Sequence, residues 1–176
     1  TLAEIVALVR AKEAETGRRI GLYPELKHPT LLLEQSGIDL VDLLVAELRK
    51  AGLVDADDAV FVQAFEVEPL RRLDRMVAVP LVQLIAAEGG PYDREGVTYA
   101  EMATPAGLAE ISRYADGIGP ALGLVLRPDG SATPLVRAAQ GAGLKVHAWT
   151  VRKENGFLPP SLQGPGGPAA EAISQG

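Results

Sequence analysis

The chain has no cysteine, a single tryptophan and two histidines among its 176 residues, and only 5% of it is aromatic. Without cysteine there are no disulfides, no thiolate nucleophile and no cysteine-bound metal. No apolar run approaches the roughly 18 residues that would suggest a transmembrane helix. Seventeen basic side chains are outnumbered by 23 acidic ones, for a net charge of −6. They form no basic stripe, so nucleic acid is not an expected partner. What is present is 47% hydrophobic and 23% charged residues, the balance of one ordinary globular domain with a sizeable core. The chain opens at Thr1 on a helix-capping pattern, Thr1-Leu2-Ala3-Glu4. It closes near Pro168–Gly176 on a further helical stretch, so it reads as a piece of a longer protein.

Helical and strand-like segments alternate. Helices are expected over residues 1–12, closed by Gly17, then 39–50, 69–75, 104–114 and 133–143. Strands are expected over 20–27, 60–65, 80–85, 115–119 and 145–151, with a polar, glycine-bearing loop over 88–103. Residues 156–168 are rich in glycine and proline. This order implies βαβ units and a parallel sheet. Parallel strands are ordinarily buried on both faces and read as unbroken apolar runs. Three of them depart from that, each at its C-terminal end: Glu25 and Lys27 on the first, Gln63 and Phe65 on the second, His147 and Trp149 on the fifth. Side chains two apart on a strand share a face, so Glu25 and Lys27 lie with Tyr23, opposite Ile20, Leu22 and Leu26. Chemistry gathered at the C-terminal ends of several parallel strands is the arrangement of a (β/α) barrel mouth. A doubly wound sheet would need fewer strands to contribute.

Taken in order, "GLYPELKHP", "VFVQAFE", "YADGIGP" and "VHAWTVRKENGFLP" make the chain resemble the glycerophosphodiester phosphodiesterases. The nearest likeness is to the periplasmic or secreted bacterial subgroup, which carries a longer loop where this chain has "EGGPYDREGVTYAEMATPAGLAEIS". The resemblance implies an α/β fold, a partial (β/α)8 TIM barrel comprising strands three to seven of eight as one incomplete domain over residues 1–176. It implies metal-dependent hydrolysis of a small-molecule glycerophosphodiester to an alcohol and glycerol 3-phosphate. By the same resemblance Glu25 is a ligand of a divalent cation, Ca2+ or Mg2+, and Lys27 contacts the substrate phosphate. Gln63 and Phe65 line the pocket, and Trp149 borders the glycerol site. The family's strand-one histidine-arginine pair, its strand-two carboxylates and its second catalytic histidine have no counterpart in this chain. The chain alone is therefore expected to be inactive, and periplasmic or secreted location rests on the resemblance.

Other readings stand beside these. Glu25 and Lys27 could be a surface ion pair, Gln63 a satisfied buried amide, and Phe65 and Trp149 core packing. His147 could be a general base or metal ligand, or structural; His28 belongs to the loop after the first strand. Residues 116–123 place the third glycine one residue late for a dinucleotide fingerprint, and their glycines suit a tight turn instead. Residues 164–167 lack the lysine and hydroxyl of a P-loop. A class I aldolase using Lys27 as a Schiff base and a non-catalytic diol- or phosphate-binding relative complete the alternatives.

Overall fold

The structure is a computed structural model that describes residues 1–151 and residue 163. The helix expected over residues 168–176, residues 164–167 and, apart from residue 163, the glycine- and proline-rich segment lie outside the described residues. Helix α1 (Leu2–Thr16) starts on the expected capping box, in which Thr1 and Glu4 bond each other's backbone, and ends at Gly17. Then follow β1 (Glu25–Leu26), α2 (Pro29–Ser36), α3 (Leu40–Ala51), β2 (Val62–Ala64), α4 (Val67–Asp74) and β3 (Leu81–Ile85). The chain continues through α5 (Tyr99–Met102), α6 (Pro105–Ile111), β4 (Gly117–Pro120), α7 (Leu122–Val125), α8 (Leu135–Gly141) and β5 (Lys145–Val146).

All five strands pair in parallel, in the order β1-β2-β3-β4-β5. Strand order never reverses, which separates this sheet from a doubly wound one. It is an arc of a (β/α)8 barrel, five consecutive βα units wide. Register fixes the two faces. Val62 pairs with Leu81, Ala64 with Gln83, and Gln83 with Ile118. These point toward the helices, where Val62, Leu81, Ile85 and Ile118 join Leu48, Leu70, Leu73, Leu108 and Ile111 in one buried core. Burying a leucine of this kind is worth about 1.5–3 kcal/mol. Gln63, Val82 and Gly117 form the alternate row, with Leu84 and Gly119 above it, and this row faces inward.

The outermost strands show how strongly the sheet curls. Tyr23 stands just before β1 and His147 just after β5, with three strands between, yet the Tyr23 hydroxyl lies 2.8 Å from His147 Nδ1. Phe61 stacks on Tyr23 at 5.5 Å and meets the His147 ring edge at 5.1 Å. A flat sheet with strands about 4.8 Å apart would hold the two edges well beyond contact.

The strands are shorter than the sequence suggests. Leu22 donates to Ala59 O at 2.7 Å, Phe61 to Leu22 O at 2.9 Å, and Gln63 to Pro24 O at 3.0 Å. Pro24 has no N–H, so one rung is missing and only Glu25–Leu26 remains a regular strand. Three helices were not anticipated. In α2, Pro29 occupies the first turn after His28, which adopts φ 50°, ψ 46° at the N-cap; His28 thus begins a helix rather than lying in a loop. In α5, Thr98 and Glu101 form a second capping box inside what reads as a loop. The third, α7, is a single turn.

Asp39 caps α3 from its N-cap, accepting from Val41 N at 3.0 Å and Asp42 N at 3.1 Å, and from Arg72 Nη2 of α4 at 2.9 Å. Partial burial pushes its carboxyl up, but Arg72 and the two backbone donors outweigh this and hold it below the ordinary range. A lowered native pKa stabilises the fold fully above about pH 4 and loses that contribution as pH falls further. Asp39→Ala is expected to cost about 1–2 kcal/mol at neutral pH. Urea unfolding at pH 7 and pH 3 should show the difference between variant and wild type shrinking at the lower pH.

Candidate active-site mouth

The inward rows end at the C-terminal edge of the sheet, where the chemistry is. Glu25 and Lys27 sit on the inner side of β1, with Oε2 and Nζ 2.8 Å apart; the glutamate side chain is 21% exposed and the lysine 72%. Leu22 and Leu26 are buried against the helices on the opposite side. Glu25, Leu26, Lys27, His28, Phe65 and Glu66 line a cavity of about 300 Å³, closed by Gly90, Tyr92 and Tyr99 from the segment after β3.

Aromatic rings join this cavity to the rest of the mouth. Phe65, just beyond β2, meets Tyr99 edge-on at 5.9 Å and the Trp149 indole edge-on at 5.7 Å. Trp149 follows β5, pairs as a bridge with Ala121, and donates Nε1–H to Gly119 O at 2.7 Å. Gly119 itself is closely flanked by inward side chains of β3. A Cβ there would stand 2.5 Å from Leu84 Cδ2 and 3.4 Å from Val82 Cγ1, so the inward face of β4 must be bare. This glycine therefore lies within a strand to make room in the interior, not in the tight turn the sequence suggested. Gly90 has a parallel role in the loop: a Cβ would meet Val97 O at 1.9 Å.

Gln63 is partly buried on the inner face and makes no side-chain hydrogen bond among the described residues. The satisfied amide is Gln83, which sequence reasoning passed over. It is 0% exposed, donates to Phe65 O at 3.0 Å and Leu84 O at 3.1 Å, and accepts from Tyr114 OH at 3.0 Å. It fixes the end of β2, and thereby Phe65, from the helix side. The lone amide in "LVQLI" was the available signal.

The segment after β3 is tied down. Asp93 accepts from Val67 N at 3.0 Å and Glu68 N at 2.6 Å, capping α4 from 26 residues away. Arg94 pairs with Glu68, and Tyr92 OH donates to Glu34 Oε2 at 3.1 Å. Capping a helix that lacks its own side-chain cap holds this segment over the mouth.

Glu25 has the hard oxygen chemistry that Ca2+ or Mg2+ takes, but a cage needs about six or more such ligands. Among the described residues no group of three or more histidine, aspartate or glutamate side chains converges. Glu25 thus fits as one ligand of such a cation and cannot hold it unaided.

His147 lies deeper, against Tyr23 and Phe61. Burial, helped by Lys145, holds its imidazole below the ordinary value, and burial pushes the Tyr23 phenol up to about 12. The phenol keeps its proton and shares a hydrogen bond with Nδ1 of the neutral ring. A lowered histidine pKa means the unfolded chain binds the proton first, so stability falls as pH drops from about 6.5. Proton NMR should give His147 a titration midpoint below that value.

An arc of sequentially ordered parallel strands with a polar and aromatic mouth defines a segment of a β/α-barrel protein. The chain belongs to the glycerophosphoryl diester phosphodiesterase family, whose model matches residues 1–165. Glycerophosphodiester phosphodiesterases of Treponema pallidum and Haemophilus influenzae are 33% and 31% identical to it over 174 residues. These alignments cover 88% of this chain and 49% and 48% of the relatives, so the chain spans about half the length of the curated relatives it matches. Two crystal structures assigned as glycerophosphoryl diester phosphodiesterases share the fold. That from Silicibacter pomeroyi has a TM-score of 0.59 at 23% identity, over 85% of this chain and 45% of its own. That from Agrobacterium tumefaciens scores 0.55 at 19%, over 85% and 51%.

Proposed function

We propose that this chain supplies strands three to seven of a metal-dependent glycerophosphodiester phosphodiesterase. That enzyme hydrolyses a glycerophosphodiester to an alcohol and sn-glycerol 3-phosphate. The observation that carries the reading is the convergence of Glu25, Lys27 and Phe65 on one cavity, with Trp149 against the far side of Phe65. Family membership supports it. An exposed ion pair contributes only about 0–1 kcal/mol to stability, so the Glu25–Lys27 pair is better explained by what it can bind.

In this reading Lys27 offers its ammonium to the non-bridging oxygens of the phosphodiester, where negative charge accumulates as the bond to the leaving alcohol breaks. Glu25 is one oxygen ligand of the divalent cation, and the other ligands come from outside the described residues. When bound, that cation supplies further positive charge at the phosphate. Gln63, with its amide unengaged, presents hydrogen-bonding groups to the diol; Phe65 and Trp149 form its apolar wall. Hydrolysis joins a water oxygen to phosphorus, breaks the phosphorus–alcohol bond and returns a proton to the alcohol. Neither His28 nor His147 serves as the acid or base here: His147 is engaged by Tyr23, and the acid–base histidines lie outside this chain. No described helix is long and apolar enough to cross a membrane, and likeness to the exported bacterial subgroup supports a periplasmic or secreted enzyme.

The test compares glycerophosphocholine hydrolysis by the intact enzyme, its variants and the isolated chain. Lys27→Ala should lower kcat/KM by about 10²–10³. Glu25→Gln should raise the Ca2+ or Mg2+ concentration needed for half-maximal activity, and the isolated chain should not exceed a protein-free control. Wild-type-like activity in both variants would overturn the reading. Borohydride trapping of a carbonyl compound on Lys27 would favour a Schiff-base enzyme instead.

A further inference from the structure

The cavity beside Lys27 contains two buried polar side chains that the fold does not use up. Glu66 is 3% exposed. Its Oε2 accepts from Thr30 N at 2.9 Å, while its Oε1 has no hydrogen-bond partner among the described residues. Among the described residues it enters no ion pair, unlike Glu25, which faces Lys27. Tyr99 is 6% exposed, and its hydroxyl is likewise without a partner among the described residues. Neither atom is sealed away: the buried side-chain atom without a partner among the described residues is Arg71 Nε, elsewhere. Both residues line the cavity, so the free oxygens open onto it. Burial pushes the Tyr99 phenol up to about 12, with Asp93 and Glu66 adding to the shift, so it stays neutral.

The rest of the lining is aromatic. Phe65 packs edge-on against Tyr99, and Tyr92, 55% exposed at the rim, is oriented by its hydrogen bond to Glu34. Carboxylates without a cationic partner are costly when buried, whereas a carboxylate beside aromatic faces is the environment in which an organic cation is bound. A volume of about 300 Å³ lies at the small end of ligand sites, which run to about 1,000 Å³, and suits a head group rather than an acyl chain.

We propose that this cavity, through Glu66, Tyr99 and Tyr92, receives the positively charged amino-alcohol end of the substrate and makes the enzyme selective for cationic over uncharged head groups. The inference rests on the phosphate lying at Lys27, because Lys27 borders the same cavity and places the leaving alcohol beside Glu66. Thr30 holds Glu66 through a backbone donor, so the carboxylate is positioned without being neutralised. Glu25 does not compete for the ligand, since in the proposed enzyme it is given to the divalent cation.

The test is equilibrium titration of the intact protein with choline, with ethanolamine and with dimethylbutanol, the uncharged carbon isostere of choline. Choline and ethanolamine should bind about tenfold or more tightly than the isostere. Glu66→Gln keeps the oxygen that accepts from Thr30 but loses the charge, and should bring all three to similar affinity. Tyr92→Leu, at an exposed rim position, should weaken choline several-fold more than the isostere, and stays informative if the buried variant folds poorly. Equal binding of choline and its isostere by the wild type, or an equal loss for both in Glu66→Gln, would overturn the proposal. Choline binding without glycerophosphocholine hydrolysis would count against the phosphodiesterase reading alone.

Discussion

The structure depends on one constraint: five parallel strands, paired strictly in sequence order, curl until the first and fifth present side chains to each other. Tyr23 and His147 meet because of that curl, and the same curl turns alternate residues of every strand inward. Leucines and valines on the other set face the helices and hold the arc in shape. Small residues on the inner set decide how much room is left. Gly119 is the clearest case, since a side chain there would take the space that Leu84 and Val82 occupy. Packing outside and vacancy inside are thus two halves of one alternation.

The mouth inherits its geometry from this. Glu25 and Lys27 extend the inner row of the first strand, Phe65 that of the second and Trp149 that of the fifth. Gln83 and Asp93 are the less visible supports. One anchors the end of β2 from behind; the other straps the segment after β3 onto α4. The cavity walls therefore come from rigid elements or from a segment pinned to one. A buried glutamate with a free oxygen can persist there because Thr30 supplies a fixed donor.

Much of this was legible in the sequence. Alternation in "GLYPELKHP" assigned Glu25 and Lys27 to one face and Leu22 and Leu26 to the other, and the structure agrees. The break at Pro24 was less visible, because a missing rung shortens a strand without changing which way its side chains point. The helices α2 and α5 were passed over for different reasons. In α2 the apolar run after Pro29 lacks an amphipathic rhythm, whereas α5 carries a capping signal in only one turn of helix. Gln83 and Glu66 could not be ranked from sequence, since whether a buried polar group is satisfied depends on partners 18 to 36 residues away. The glycines of β4 were read as turn formers because sequence alone does not show which face a short strand turns inward.

The curl is most directly tested by a double-mutant cycle between Tyr23 and His147, using Tyr23→Phe and His147→Gln in the intact protein and reading unfolding free energies. Residues in contact couple by about 0.5–3 kcal/mol, whereas distant ones add within about 0.3–0.5 kcal/mol. A coupling in the contact range is the result expected of strands curled into a barrel arc. Strict additivity would mean that the two edges do not meet, and the shared mouth would be lost with them.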